Sequence, residues 1–310
     1  MPDYDNFPLM QSLWFRLEYF FFRFLALGVN QLSEHAAMRF AEGVGALLFF
    51  LLQKRREIAL ANLRLAFKEE KPEEELAGIA KASMQNLVKV AFEFVRIPKI
   101  AKRPDLAIEL QHGERVRKAL AQGKGLIVTV SHFGNWELMA ISAANAGFPI
   151  HAIGRPVKNP HVYNYIKRLR GMTGLCSIDK AGAARETIKR IKQNQMIAIL
   201  IDQHERQGGI WVDFFGRKAM TSTLVATLAL KYGVPVIPTF FYREERERSV
   251  LDFGEPFPLI QTGDDEADIA ANTQQYIRQI EEEIRKRPGD WLWMHRRWRE
   301  PLPEAVGKGF

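Results

Sequence analysis

From residue 107 onward the chain alternates between two kinds of segment, and this alternation limits its fold more than any other feature. Short apolar runs rich in β-branched residues, at 125–130, 150–153, 196–201, 235–241 and 250–253, read as buried strands. Stretches with helical spacing of apolar residues fall between or after them, at 137–146, 160–171, 181–194, 222–232 and 268–286. A strand that is apolar on both faces needs cover on both, and helices supply it. The expected architecture is α/β: a largely parallel or mixed sheet covered by helices. Ahead of this region, "REIALANLRLAF" places Ile58, Leu60, Leu63, Leu65 and Phe67 near one helical stripe. "KEEKPEEE" then interrupts with charge and Pro72, and a second helix is expected over 74–95. There is no internal repeat and no low-complexity linker.

The N-terminus differs in kind. "LWFRLEYFFFRFLALGVNQL" (13–32) is apolar and aromatic but holds Arg16, Glu18 and Arg23. "GVGALLFFLLQKRR" (43–56) is a shorter apolar run closed by Lys54, Arg55 and Arg56. A spanning helix needs about 20 mostly apolar residues. The uncharged part of the first run is too short alone, so it reads as a marginal span or an interfacial helix. A pair of buried core helices is the bland alternative. A signal peptide fits poorly, because Asp3, Asp5 and Glu18 are out of place and no small-residue cleavage site follows. The division expected is residues 1–55 as membrane-associating helices and 56–310 as the domain that carries the chemistry. The three cations favour a cytoplasmic, headgroup-facing position.

Charge narrows the partners. Forty-four Lys plus Arg against 36 Asp plus Glu leave a net charge of +8, which suits phosphate groups, anionic lipid or an acidic carrier protein. The single cysteine, Cys176, excludes an internal disulfide and reads as a packed residue.

The stretch "GLIVTVSHFGNWELMA" (125–140) puts His132 at the mouth of a buried strand and Glu137 at the start of a helix. On one regular helix a spacing of five is about 500°, so the side chains would diverge by about 140°. They can meet only if His132 lies in the turn before the helix. Glu137 would then accept one ring N–H and leave the other nitrogen free as a general base for a substrate hydroxyl. Backbone N–H groups at the helix start could hold phosphate or a developing oxyanion. The alternative is a structural loop histidine. Ser131 lacks a G-x-S-x-G elbow and makes a poor nucleophile.

"SHFGNWE" resembles the H-x4-[D/E] motif of the glycerolipid acyltransferase superfamily, and within it the bacterial lipid A late acyltransferases. "IGRPVKNP" (153–160) is similar to that family's Arg-Pro segment, and "ILIDQHERQGGIWVDFFGRKAMTSTLVATLA" (199–229) to the block after it. "VPVIPTFFYR" (234–243) and "WLWMHRRWR" (291–299) resemble the fourth block and the C-terminal signature. Mycobacterial phosphatidylinositol mannoside acyltransferases share much of this pattern. The resemblance implies His132 as general base and Glu137 as its orienting carboxylate. It implies Arg155 for phosphate or the oxyanion, Asp202 and Gln203 near the pocket, and Gly216, Arg217 and Thr221 at a phosphorylated acceptor. Arg155 alone would be an ordinary surface cation. Asp202 could simply cap, and Thr221 or Ser222 could N-cap the next helix. "DQHE" has metal-like letters but no second cluster, so no metal is expected.

The segment "WLWMHRRWR" has Trp291, Met294, His295 and Trp298 at helical spacing, which reads as part core and part interface; no nucleic-acid fold signature accompanies it. The resemblance therefore implies a membrane-associated O-acyltransferase at the cytoplasmic face of the inner membrane. The donor would be an acyl thioester, acyl carrier protein first and acyl-CoA second. The acceptor would be a hydroxyl of a Kdo-lipid A precursor, with a glycerophospholipid or phosphatidylinositol mannoside as the alternative. No cofactor is needed. A non-catalytic membrane-binding protein on the same scaffold is the reading from another class, and the intact His132 and Glu137 argue against it.

Overall fold

The computed structural model describes residues 9–67, 70–100, 108–154, 157–179, 183–244 and 248–299. In chain order these form α1 (Leu9–Gln31), α2 (Glu34–Leu51), α3 (Gln53–Phe67), α4 (Glu73–Val95), α5 (Ile97–Ile100), β1 (Ile108–Gln111), α6 (Gly113–Leu120), β2 (Leu126–Val130), α7 (Trp136–Asn145), β3 (Ile150–Gly154), α8 (Pro160–Gly171) and β4 (Cys176–Asp179). There follow α9 (Ala183–Lys192), β5 (Met196–Leu200), β6 (Gly209–Phe214), β7 (Arg217–Ser222), α10 (Leu224–Tyr232), β8 (Val236–Arg243), β9 (Ser249–Phe253) and α11 (Asp265–Lys286).

Seven strands make one sheet in the order β1-β9-β8-β2-β5-β3-β4, and β6 and β7 form a separate antiparallel hairpin. Every pairing in the large sheet is parallel except β8 with β9. This is the expected α/β sheet covered by helices. The central strand β2 reads LIVTV and is buried at all five positions, so each side chain leaves water entirely. Burying such side chains contributes about 1.5–3 kcal/mol each. β1 and β4, four residues each, were not expected, and neither was the hairpin.

The register of β2 and β5 places the chemistry. Val130 pairs with Leu200 at the carboxyl ends of these neighbouring parallel strands. The residues two positions further on, His132 and Asp202, therefore emerge side by side although 70 positions apart in the chain.

At the N-terminus α1 is docked along one face only. Asn159 Nδ2 donates to the Phe15 carbonyl at 2.8 Å and to Glu18 Oε2 at 2.9 Å, Phe22 packs edge-on to Tyr165, and the Arg23 guanidinium lies 4.6 Å from the same ring centre. The opposite face leaves Met10, Leu13, Trp14, Phe20, Phe21 and Phe24 more than half exposed. Among the described residues no single helix is long and apolar enough to cross a membrane; α2 and α3 meet the length and composition only as a pair bent by 91°. That bend leaves Phe50, Leu51 and Leu52 exposed at a corner beside Lys54 and Arg55.

Candidate active site

The turn after β2 is built around Gly134. Its φ is +56°, and a Cβ there would stand 1.5 Å from the Phe241 carbonyl oxygen, so no other residue fits this backbone path. Next to it, Asn135 caps α7: its Oδ1 accepts from the Glu137 and Leu138 N–H groups at 3.1 and 2.9 Å. Asn135 Nδ2 donates to Glu93 Oε2 at 2.6 Å, and Arg243 grips both oxygens of Glu93. Arg243 also donates to Asn86 Oδ1 at 2.8 Å, and Asn86 Nδ2 reaches the Gly134 and Asp290 carbonyls at 3.0 Å each. Burial opposes the charge on Arg243, but Glu93 outweighs it and holds the guanidinium protonated. A half-buried ion pair thus fixes the loop in front of the helix from behind.

His132 leaves this turn with both ring nitrogens engaged. Nδ1 lies 2.9 Å from Asp202 Oδ1, and Nε2 lies 3.3 Å from the side-chain amide of Gln203. Asp202 is 1% exposed and its Oδ2 accepts from the His132 backbone N–H and from the Trp291 indole N–H, both at 2.8 Å. Burial works against ionisation of Asp202. The His132 imidazole and these hydrogen bonds prevail, so its carboxyl titrates below the usual carboxylate range. A carboxylate at Nδ1 makes that nitrogen the proton-bearing one and turns the Nε2 lone pair outward. Trp136 braces the ring edge-on, with ring centres 5.0 Å apart.

The expected partnership of His132 with Glu137 is therefore corrected. Both oxygens of Glu137 are taken by Arg170, Nε at 3.0 Å and an Nη at 2.6 Å, while Asp202 stands at His132. Glu137 is the second residue of α7, past the turn that holds His132, and Arg170 on α8 meets it there. The expected use of helix-start N–H groups as an oxyanion site is narrowed, because three of these groups are already taken. Glu137 and Leu138 N–H are held by Asn135, and Gly134 N–H donates to the Asp290 carbonyl at 3.0 Å.

The remaining expected residues scatter. Arg155 lies outside the described residues. Phe215 and Gly216, both with positive φ, make the two-residue turn of the β6–β7 hairpin. Gly216 and Arg217 are exposed at its tip, which is fastened to α11 by a 2.6 Å hydrogen bond from Phe215 N–H to Glu281 Oε2. Thr221 is at the other end, fully buried, where its hydroxyl accepts from Arg297 at 2.6 Å. It does not cap α10; Thr223 holds the N-cap position without a side-chain bond. The structure brings together His132, Asp202 and Gln203, with Thr221 behind them.

The C-terminal segment is not helical. Its backbone runs extended past the turn, bridging Phe133 to Trp291, with Leu292 N–H donating to the His132 carbonyl at 3.0 Å. Trp291 and Trp293 enter the core, ring centres 4.7 Å apart, with Met294 also buried, while Arg296 and Arg299 stay exposed. Asn62 ties it to α3 through the Trp293 and His295 carbonyls at 2.8 and 2.6 Å. Sequence reasoning also missed Arg170, Trp291 and the Glu93–Arg243 pair. Among the described residues no group of three or more His, Cys, Asp or Glu could hold a metal.

A buried carboxylate and an imidazole oriented by it at neighbouring strand ends are an arrangement able to accept a proton at the second ring nitrogen. The family model for bacterial lipid A biosynthesis acyltransferase matches residues 10–300. The chain belongs to that family. It is an acyltransferase. Two curated relatives are phosphatidylinositol mannoside acyltransferases. That of Mycobacterium tuberculosis is 24% identical over 234 residues, covering 72% of this chain and 71% of its own. That of Mycolicibacterium smegmatis is 21% identical over 229 residues, covering 71% of this chain and 72% of its own. Within this acyltransferase, His132 and Glu137 occupy the H-x4-E positions of the motif, and the pairing that forms across the sheet is His132 with Asp202.

Proposed function

We propose that this acyltransferase moves a fatty acyl chain from a thioester to a hydroxyl of a phosphorylated glycolipid, with His132 as general base and Asp202 as its orienting carboxylate. The Nδ1–Asp202 hydrogen bond of 2.9 Å carries the reading, because it fixes the tautomer whose Nε2 can take a proton. The acceptor O–H proton passes to Nε2 as the oxygen bonds to the thioester carbonyl carbon. The tetrahedral intermediate then collapses, the C–S bond breaks, and the departing thiolate takes the proton from Nε2. Gln203 holds its amide at the position the reacting atoms must enter, and the same amide can donate to the developing oxyanion. A narrow, mostly apolar cavity of about 40 Å³ between Trp136, Met139, Ala152 and Leu200, with the Glu137–Arg170 pair in its wall, is separated from the His132 ring by Trp136 and suits a few carbons of an acyl chain.

The donor in this reading is acyl carrier protein, with acyl-CoA second. The acceptor is a Kdo-lipid A precursor, which the family match over residues 10–300 favours. Phosphatidylinositol mannoside is the second reading, favoured by the two relatives. The exposed apolar face of α1 and the cationic corner between α2 and α3 support attachment in the membrane interface, at the cytoplasmic face of the inner membrane. Mass spectrometry of lipid products, with each donor offered to each acceptor, tests the chemistry. An acylated glycolipid lost in His132→Ala is expected; no acylated product from any combination would sink the proposal. Flotation with anionic liposomes tests attachment, and full-length protein that stays at the bottom refutes it.

A further inference from the structure

Beyond the Gln203 carbonyl the chain runs into a surface dense in cations. The 201–208 loop and the C-terminal segment lie side by side, joined by Arg297, which donates to the Gln203 carbonyl at 3.1 Å, to the Met220 carbonyl at 2.6 Å and to Thr221 Oγ1. All three acceptors are neutral, and Arg297 is fully buried with its Nε unpartnered. Its charge is thus met by no carboxylate in contact. The nearest that acts on it, Asp202, is already shared by His132 and Trp291. Arg206 and Arg299 are exposed, both lie close enough to act on His204, and they form no ion pair among the described residues. Glu205, the carboxylate of this loop, accepts from the Arg206 backbone N–H at 2.9 Å. The Nδ1 of His204 is enclosed and has no hydrogen-bond partner.

Arg206, Arg297 and Arg299 all act on His204, and an anion placed among them would be drawn to all three guanidiniums. Arg206 and Arg299 are free to fork onto an anion's oxygens, and Arg297 adds a fixed charge behind them. We propose that Arg206 and Arg299, backed by Arg297, form a phosphate-binding site at the rim of the reacting centre. His204 follows directly on Gln203, so the phosphate belongs to a substrate whose reacting atom reaches His132. Burial and the surrounding guanidiniums lower the proton affinity of His204, and its Nδ1 is enclosed, so the histidine adds no charge of its own to the site. The site differs from the hairpin tip at Gly216 and Arg217, which is fastened to α11. That the phosphate is a substrate's rests on the acyl-transfer reading; that the site takes phosphate does not. The group could come from the glycolipid acceptor or from the phosphopantetheine arm of the donor.

The test is thermal unfolding of the full chain in detergent, titrated with sodium phosphate against sodium chloride of equal ionic strength. Wild type is expected to gain Tm saturably with phosphate. Arg206→Gln/Arg299→Gln should need about tenfold more phosphate or more, as for loss of charge-assisted hydrogen bonds. Arg299→Gln alone should fall between. Lys189→Gln/Lys192→Gln on α9 removes the same charge elsewhere and should titrate like wild type. Absence of a saturable gain overturns the site. So does an arginine pair that titrates like wild type, or an equal loss in the lysine pair. Competition then separates the sources. Displacement by coenzyme A points to the donor and by glucosamine 1-phosphate to the acceptor. Displacement by neither overturns the assignment to a substrate. The titration needs no turnover. Phosphate binding in a chain that transfers no acyl group keeps the site and sinks the acyl-transfer reading, and transfer without phosphate binding does the reverse.

Discussion

The indole N–H of Trp291 donates to Asp202 Oδ2 at 2.8 Å, while the other oxygen of the same carboxylate holds His132. Each donor on Asp202 stabilises its charge and weakens its pull on the imidazole proton. Trp291→Phe removes one donor and keeps most of the packing. The Asp202–His132 pair should then hold a proton more tightly, and the acid limb of the kcat/KM profile should move to higher pH. Rates measured from pH 5 to 9 check this. An unmoved limb with a uniformly lower rate would assign Trp291 to packing alone.

Asp202 and Glu137 divide the labour differently from the spacing of the motif. Asp202→Asn leaves His132 with the wrong tautomer and should lower turnover by about 10²–10⁴ fold, as should His132→Ala. Glu137→Ala instead strands Arg170, a half-buried cation. It should lower stability by about 1–3 kcal/mol. The double variant with Arg170→Ala should cost less than the sum of the single changes. Urea unfolding of wild type, the two single variants and their double, with transfer rates for these and for Asp202→Asn and His132→Ala, decides it. Equal losses of turnover in Asp202→Asn and Glu137→Ala, with no loss of stability in the latter, would return Glu137 to the dyad.

Gly134→Ala is expected to be severe. Its Cβ would fall 1.5 Å from a backbone oxygen of β8, which cannot swing aside as a side chain can. The cost should be about 3 kcal/mol or more. Gly123 also has positive φ, but nothing lies within 4 Å of its Cβ position, so Gly123→Ala should cost about 1 kcal/mol. The two urea midpoints separate steric exclusion from backbone strain.

Acid should loosen the C-terminal segment before it reaches the carboxylates. Burial lowers the pKa of His295 to about 4 from an ordinary 6.5; Asp202 opposes this and His132 reinforces it. The unfolded chain therefore binds the proton first, and stability falls as pH drops through the window between those values. Above pH 6.5 this contribution is fully present, and it amounts to roughly 3 kcal/mol. His295→Gln should flatten that part of the curve of unfolding free energy against pH. Some slope should remain, because His151 and His204 are shifted the same way, chiefly by burial. An unchanged slope would refute the assignment.

The central strands were legible because β2 and β5 are unbroken apolar runs, and their period needs no context. β1 (IELQ) and β4 (CSID) are too short and too polar to show one. The turn histidine was legible from its place after β2. Its partner was not, because Asp202 reaches His132 through the register of β2 on β5, and a register is a property of two strands. Glu137 drew attention by its nearness in sequence, while Arg170, which holds it, is one cation among several on α8. In 291–299 the helical spacing of apolar residues was real but coincidental. The chain bridges Phe133 at Trp291 and then turns, so Trp291, Trp293 and Met294 are buried without a helix.

Because the last described stretch completes the site, the order of synthesis has a consequence. A ribosome delivers His132 and then Asp202 long before Trp291, and domains fold from the N-terminus as they emerge. Until the 288–298 strap arrives, Asp202 lacks one donor, the Gly134 N–H and Asn86 lack the Asp290 carbonyl, and the backbone of Phe133 has no bridge partner. A nascent or proteolytically shortened chain can lay down the sheet and still hold no set imidazole. The final bracing of the imidazole thus waits until residues 288–298 are laid across the turn.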